Sequence, residues 1–197
     1  MDTTKIAPGI IQYTAVDDCS RFRLLAVFSR RTGANTRLFL DQVVEEMPFP
    51  IQRIQTDRDR EFFVVKIQKK MMEYGIKFRP NKPASPHLNG KVERSQRTDK
   101  EEFYSTVELD LDLDLDLDLD LDLEILKNAV SEWQFYYNWQ RTHASLNGLT
   151  PMEKVILLAE KTPFHQEVGD AYIVENERIK DANYHVDLKL IKLKGCV

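Results

Sequence analysis

Pro8 and Gly9 interrupt the apolar start of the chain and fold residues 2 to 6 and 10 to 16 back on each other as a hairpin. That opening commits the chain to a sheet, and the segments after it say what covers the sheet. Phe22 to Phe28 is a third strand, with Leu24, Ala26 and Phe28 on one face. From Asn35 to Met47 the apolar residues Leu40, Val43, Val44 and Met47 recur at helical spacing, and Pro48 ends the run. Ile51 to Thr56 reads as a strand, Phe62 to Tyr74 as an amphipathic helix closed by Gly75, and Ile76 to Arg79 as a short strand. Residues 80 to 90 (PNKPASPHLNG) form a Pro/Gly loop before another helix. Three strands followed by alternating helices and strands predict an α/β fold, a mixed sheet flanked by helices.

With 197 residues the chain has room for one domain with appendages and a real core. Cys19 and Cys196 provide neither a disulfide framework nor a metal quartet. No apolar run reaches about 18 residues and the start lacks signal-peptide character, which predicts a reduced, cytoplasmic setting and no membrane partner. The net charge of −4 argues against nucleic acid until its source is located. Leu109 to Leu123 is strict Leu-Asp alternation, and setting aside its seven aspartates leaves 28 basic against 25 acidic residues, a balance of +3. An extended run would put every Leu on one face, whereas a helix would have no apolar stripe. The run lacks the glycine and terminal Glu of a calcium loop.

Asp57 ends the strand that starts at Ile51, and Glu93 lies just inside the helix after the loop. Carboxylates delivered by a strand end and a helix can share Mg²⁺, which prefers hard oxygen ligands and leaves places for water and phosphate. Two such metals roughly 4 Å apart suit phosphodiester chemistry. Spacing alone is weak evidence in a chain with 32 acidic residues. The surrounding words carry more: IQTDRDREFF around Asp57, PASPHLNGKVERSQ around Glu93, YTAVDDCSRFRLLAVFSRRT near the start and FYYNWQRTHASLNGLTP later.

In order and over most of the chain, these words resemble the integrase-type DDE transposases of bacterial insertion sequences, relatives of retroviral integrases. The resemblance implies a ribonuclease H-like mixed five-stranded sheet flanked by helices. It further implies a catalytic and metal-binding triad of Asp2, Asp57 and Glu93, with Mg²⁺ or Mn²⁺ as cofactor. Asp17 is the rival for the first place; the resemblance favours Asp2, because in this fold the first strand neighbours the fourth. DNA, at element ends and target, is the implied partner, together with a second copy or a full-length transposase. Relatives carry a helix-turn-helix region before the core, so amino-terminal truncation is expected.

His87, Asn89, Lys91, Arg94, Arg97 and Lys100 are the candidate DNA-binding residues, with Arg97 and Lys100 four and seven positions past Glu93. The plain alternative is a solvated charged face, and His87 and Asn89 could equally shape the turn. The aromatics of Ile125 to Gln140 are read as core, although aromatics can also stack on unpaired bases. Thr150-Pro151 opens a further helix with Glu153 in its first turn. The expected organisation is a catalytic core over 1–106, a Leu-Asp insertion over 107–123, remaining core helices over 124–160 and a tail over 161–197, in which Tyr184 to Leu193 suggests a strand. One departure from the pattern concerns activity, Arg58 and Asp59 where relatives have a small or glycine-containing turn, whereas Thr142 in place of a proline should loosen its turn without touching the carboxylates. The leading expectation is DNA integration or transposition. A silent DNA- or partner-binding fragment and a ribonuclease H-like nuclease that cuts without joining are the alternatives.

Overall fold

A computed structural model describes residues 1–57, 59–82, 89–107 and 119–181, with residues 119–122 as backbone alone. Strands β1 (Asp2–Ala7), β2 (Ile10–Val16) and β3 (Arg23–Phe28) form an antiparallel sheet in that order. Gly9, at φ 71°, supplies the left-handed step of the first turn, where a side chain would be strained. The register sets Asp2 opposite Thr14 and Val16 opposite Arg23. Alternation along the strands sends Tyr13, Ala15 and Leu24 to one face, against Phe39 and Val43 of α1 (Gly33–Glu46). Ile10, Leu25 and Val27 pack on the other face, against Leu126, Val130, Trp133 and Tyr137 of α4 (Leu119–Trp139). α1 starts where the Thr32 side chain accepts from the Asn35 amide at 3.1 Å. It ends before Pro48, which disfavours the helical conformation at Met47.

β4 (Arg53–Thr56) and β5 (Lys77–Pro80) pair in parallel, and the crossover that such pairing needs is α2 (Val65–Glu73). α2 begins three residues later than Phe62, where the sequence suggests a start. Residues 60–63 instead make turns, with the Phe62 amide bonded to Asp59 O at 3.1 Å, and this drops Phe62 into a cluster with Leu40, Ile54, Ile67, Met71 and Phe78. The hydrogen bonds divide the strands into groups of three and two where five in one sheet were expected. The groups meet where the Met1 amino group donates to Gln55 O at 2.6 Å, because β4 runs beside the very first residue of β1.

α3 (Gly90–Thr98) runs on into a π-helical turn (Asp99–Tyr104). Asp99 there is fully buried, 2.6 Å from the equally buried Arg23 of β3, and the Arg23 guanidinium lies 3.3 Å from the Tyr137 ring centre. Removing one partner of such a pair leaves a bare buried charge and costs about 3–5 kcal/mol, whereas exchanging both for apolar groups is often neutral.

Residues Leu119 to Leu123, the end of the Leu-Asp run, belong to α4, and Leu123 packs against the core cluster. Leucine at every second position places one somewhere on any helical face, so the end of the run can extend the helix that follows it. α4 also divides its aromatics. Trp133 and Tyr137 are core, but Phe135, Tyr136 and Trp139 are exposed, because the aromatics of one helix cannot all face a single sheet. α5 (Pro151–Leu157) has the expected Thr150–Glu153 capping box. After α6 (His165–Asp170) the chain packs back on α2 and β5: Gln68 bonds both the amide and the carbonyl of Lys180, at 2.8 and 2.7 Å, and Arg79 forks onto Glu177 with two bonds of 2.7 Å. The strand suggested at Tyr184 to Leu193 lies outside the described residues.

Candidate active site

β1 delivers Asp2 on the sheet face that α3 covers. Its Oδ1 accepts from the Thr3 amide at 2.9 Å, and its Oδ2 accepts from Gln96 Nε2 at 3.0 Å and Asn89 Nδ2 at 3.3 Å. β4 delivers Asp57 immediately after Thr56, and its Oδ1 accepts from the Asp59 amide at 3.0 Å. Asp57 lies against Asp2, whose charge disfavours the ionised form of Asp57. Burial first, and then the charges of Asp2 and Asp59, push Asp57 up to about 7 against the opposing Asp59 amide bond. Burial likewise brings the neighbouring Met1 amine down to about 6, although Asp2 and Asp57 pull it upward.

Glu93 lies in the first turn of α3 and is exposed. Asn89, four residues before it, and Gln96, three after it, both bond Asp2, so Glu93 shares the helix face that meets Asp2. Among the described residues no three Asp, Glu, His or Cys side chains gather into a metal-binding group. The structure therefore brings Asp2 and Asp57 together and sets Glu93 at the rim.

Asp17 has a different task. Its Oδ2 accepts from the Ser20 amide and hydroxyl, both at 2.7 Å, and from the Cys19 amide at 3.1 Å, closing the β2–β3 turn. Asp18 pairs with Lys91 at 2.7 Å. Asp59, beside the carboxylate pair, is engaged by Arg31 at 2.5 Å. Arg31 also reaches the buried Glu61 at 3.3 Å, which accepts from Thr3 Oγ1 at 3.0 Å. Arg58 and His87 lie outside the described residues.

Of the candidate DNA-binding residues, Asn89 faces Asp2, Lys91 is tied to Asp18, and Arg97 is tied to Glu101 at 2.6 Å. Arg94 and Lys100 are exposed and form no ion pair among the described residues. Lys100 is the second residue of the π-helical turn. Sequence reasoning missed Gln96 and Arg31. Gln96 carried a signal, its place three residues past Glu93; Arg31 carried none, since its partners are distant in sequence.

Two adjacent carboxylates in a partly buried site, each accepting from amide donors, fit a hard divalent cation that would relieve their repulsion. Two family models, both described as integrase core domain, match the chain, one over residues 1–86 and the other over residues 74–151. The fold is that of retroviral integrase catalytic cores. The structure of the BIV integrase catalytic core aligns with a TM-score of 0.60 at 20% identity, covering 81% of this chain and 94% of that one. The HTLV-2 integrase catalytic core, solved with magnesium in a dimeric form, aligns with a TM-score of 0.54 at 20% identity, covering 73% and 82%. No curated protein sequence matches the chain.

Proposed function

We propose that this chain, an integrase core domain over residues 1–151, cuts and joins DNA strands as the catalytic part of a transposase of the bacterial insertion-sequence type. The observation that carries the reading is the carboxyl pair Asp2–Asp57, held against the helix that bears Glu93. Mg²⁺ or Mn²⁺ bound by Asp2, Asp57 and Glu93 would supply an activated water or 3′ hydroxyl and steady the leaving oxygen. The chain's own residues do the rest. Gln96 and Asn89 orient Asp2, and the Asp59 amide orients Asp57. Without a metal, burial and the neighbouring Asp2 charge hold Asp57 toward its protonated form. Arg94 and Lys100 offer free charge to a phosphate backbone on the α3 side. Arg31 pairs with Asp59 and so offsets part of the added negative charge of this turn.

A second copy or a longer transposase would complete the assembly, and the cytoplasm is the setting that this reading carries with it. Among the described residues no helix is long and apolar enough to cross a membrane. The exposure of Glu93 favours one other reading, a core that binds DNA or a partner without cutting. Incubation with a labelled duplex and Mn²⁺ separates the possibilities. Joined products support strand transfer, cut products alone support a nuclease, and a shifted but intact duplex supports the silent core.

A further inference from the structure

A series of buried polar contacts, from Thr14 to Ser95, links the strands to α3 near the carboxylate pair. Asp99, the first residue of the π-helical turn, accepts from Arg23 at 2.6 Å and from Trp133 Nε1 at 2.7 Å through Oδ1, and from Gln12 Nε2 at 2.8 Å through Oδ2. Gln12 Nε2 also donates to Thr14 Oγ1 at 2.9 Å, and Thr14 is the cross-strand partner of Asp2. Arg23 donates to Ser95 Oγ at 3.0 Å, and the next residue, Gln96, bonds Asp2. From Asp2 the contacts pass through Thr14, Gln12, Asp99, Arg23 and Ser95 and return through Gln96. Arg23, Asp99, Gln12 and Thr14 are fully buried.

We infer that Arg23, Asp99 and Gln12 are positioning residues that lock the rotation and height of α3 against β1, and so set where Glu93 stands relative to Asp2 and Asp57. A helix that rests on apolar contacts alone can slide or turn by a fraction of a residue at little cost, since such contacts are non-directional. A carboxylate with three donors from three elements admits one arrangement. The widened π turn places Asp99 beneath the sheet while leaving the start of α3 free to face Asp2. Stability alone does not call for this device, because exchanging a buried ion pair for apolar groups of similar volume is often neutral.

The inference rests on the proposed metal site for its chemistry but not for its test. The double variant Arg23→Met/Asp99→Leu exchanges the ion pair for apolar groups and keeps the volume. Two readouts are followed: the Gln96 side-chain amide signals in the metal-free protein by NMR, and Mn²⁺ affinity by calorimetry. Positioning predicts a folded variant whose Gln96 amide loses its bonded shift and whose Mn²⁺ affinity falls at least tenfold. Parental Gln96 signals together with parental affinity overturn it. If the double variant does not fold, Gln12→Met, which cuts the link between Thr14 and Asp99, is measured in the same two ways: a changed Gln96 signal with weakened Mn²⁺ binding supports positioning, and parental values of both overturn it. If the parent chain binds no Mn²⁺, the metal site fails while the Gln96 signals still decide the positioning.

Discussion

At Asp57 two demands on one side chain are separable. It contributes nothing to the core, and its burial beside Asp2 is unfavourable when both are charged. Asp57→Asn is therefore expected to abolish DNA cutting while the melting temperature stays level or rises, whereas Asp17→Asn, which weakens a turn with three bonds to its carboxylate, is expected to lower stability by about 1 kcal/mol and spare cutting. A cutting assay run beside thermal melts checks both. His143 gives a pH signature of its own. Burial first, then the Arg141 charge 3.2 Å from its Nδ1, hold it down at about 4, below an unfolded value near 6.5. The unfolded chain thus binds more protons than the folded one between those values, and stability from this residue, complete above about pH 6.5, is lost as the pH falls toward 4. The loss is on the order of 3 kcal/mol. Denaturation at pH 7 and pH 4.5 should show a smaller acid loss in His143→Asn than in the parent; an equal loss would mean that the ring is protonated in the fold.

Elements whose apolar residues follow a simple period are legible in the sequence. The hairpin, β3, α1 and the order through α3 follow from Pro8-Gly9, from alternation at Leu24, Ala26 and Phe28, and from the spacing of Leu40 and Val43. What escapes is set by partners distant in sequence. Nothing near Arg23 or Asp99 marks them as buried, because a charge enters a core only once its counter-charge is there. The π turn is equally silent in the sequence. The start of α4 escapes too, because Leu-Asp alternation gives a helix no apolar stripe, and the packing of Leu123 decides the matter. Leu123→Ala should then cost on the order of 1–2 kcal/mol, and Ile125→Ala, on a side chain 60% exposed, a few tenths. Urea titrations distinguish this from equal costs, which would place the run outside the packed helix.

On the scale of the whole molecule, the site is legible as residue types and incomplete as geometry. Motif words point to Asp2 and Asp57, which meet, and to Glu93, which stands exposed at the rim. The same uneven outcome holds for DNA. Lys91 and Arg97 are spent on Asp18 and Glu101, leaving Arg94 and Lys100 to meet phosphates, so binding should be weak, indifferent to sequence and sensitive to salt. Arg94→Ala/Lys100→Ala should reduce the dependence of log affinity on log salt by roughly two. An unchanged slope in fluorescence titrations would move the DNA path off α3.

The claim on which all of this depends is that Asp2 and Asp57 form a divalent-metal site, and calorimetric titration of Mn²⁺ into the parent chain, Asp57→Asn and Asp17→Asn tests it most directly. Binding in the parent and in Asp17→Asn, absent in a folded Asp57→Asn, is the predicted result. Binding that survives in Asp57→Asn, or that never occurs in the parent, would contradict it.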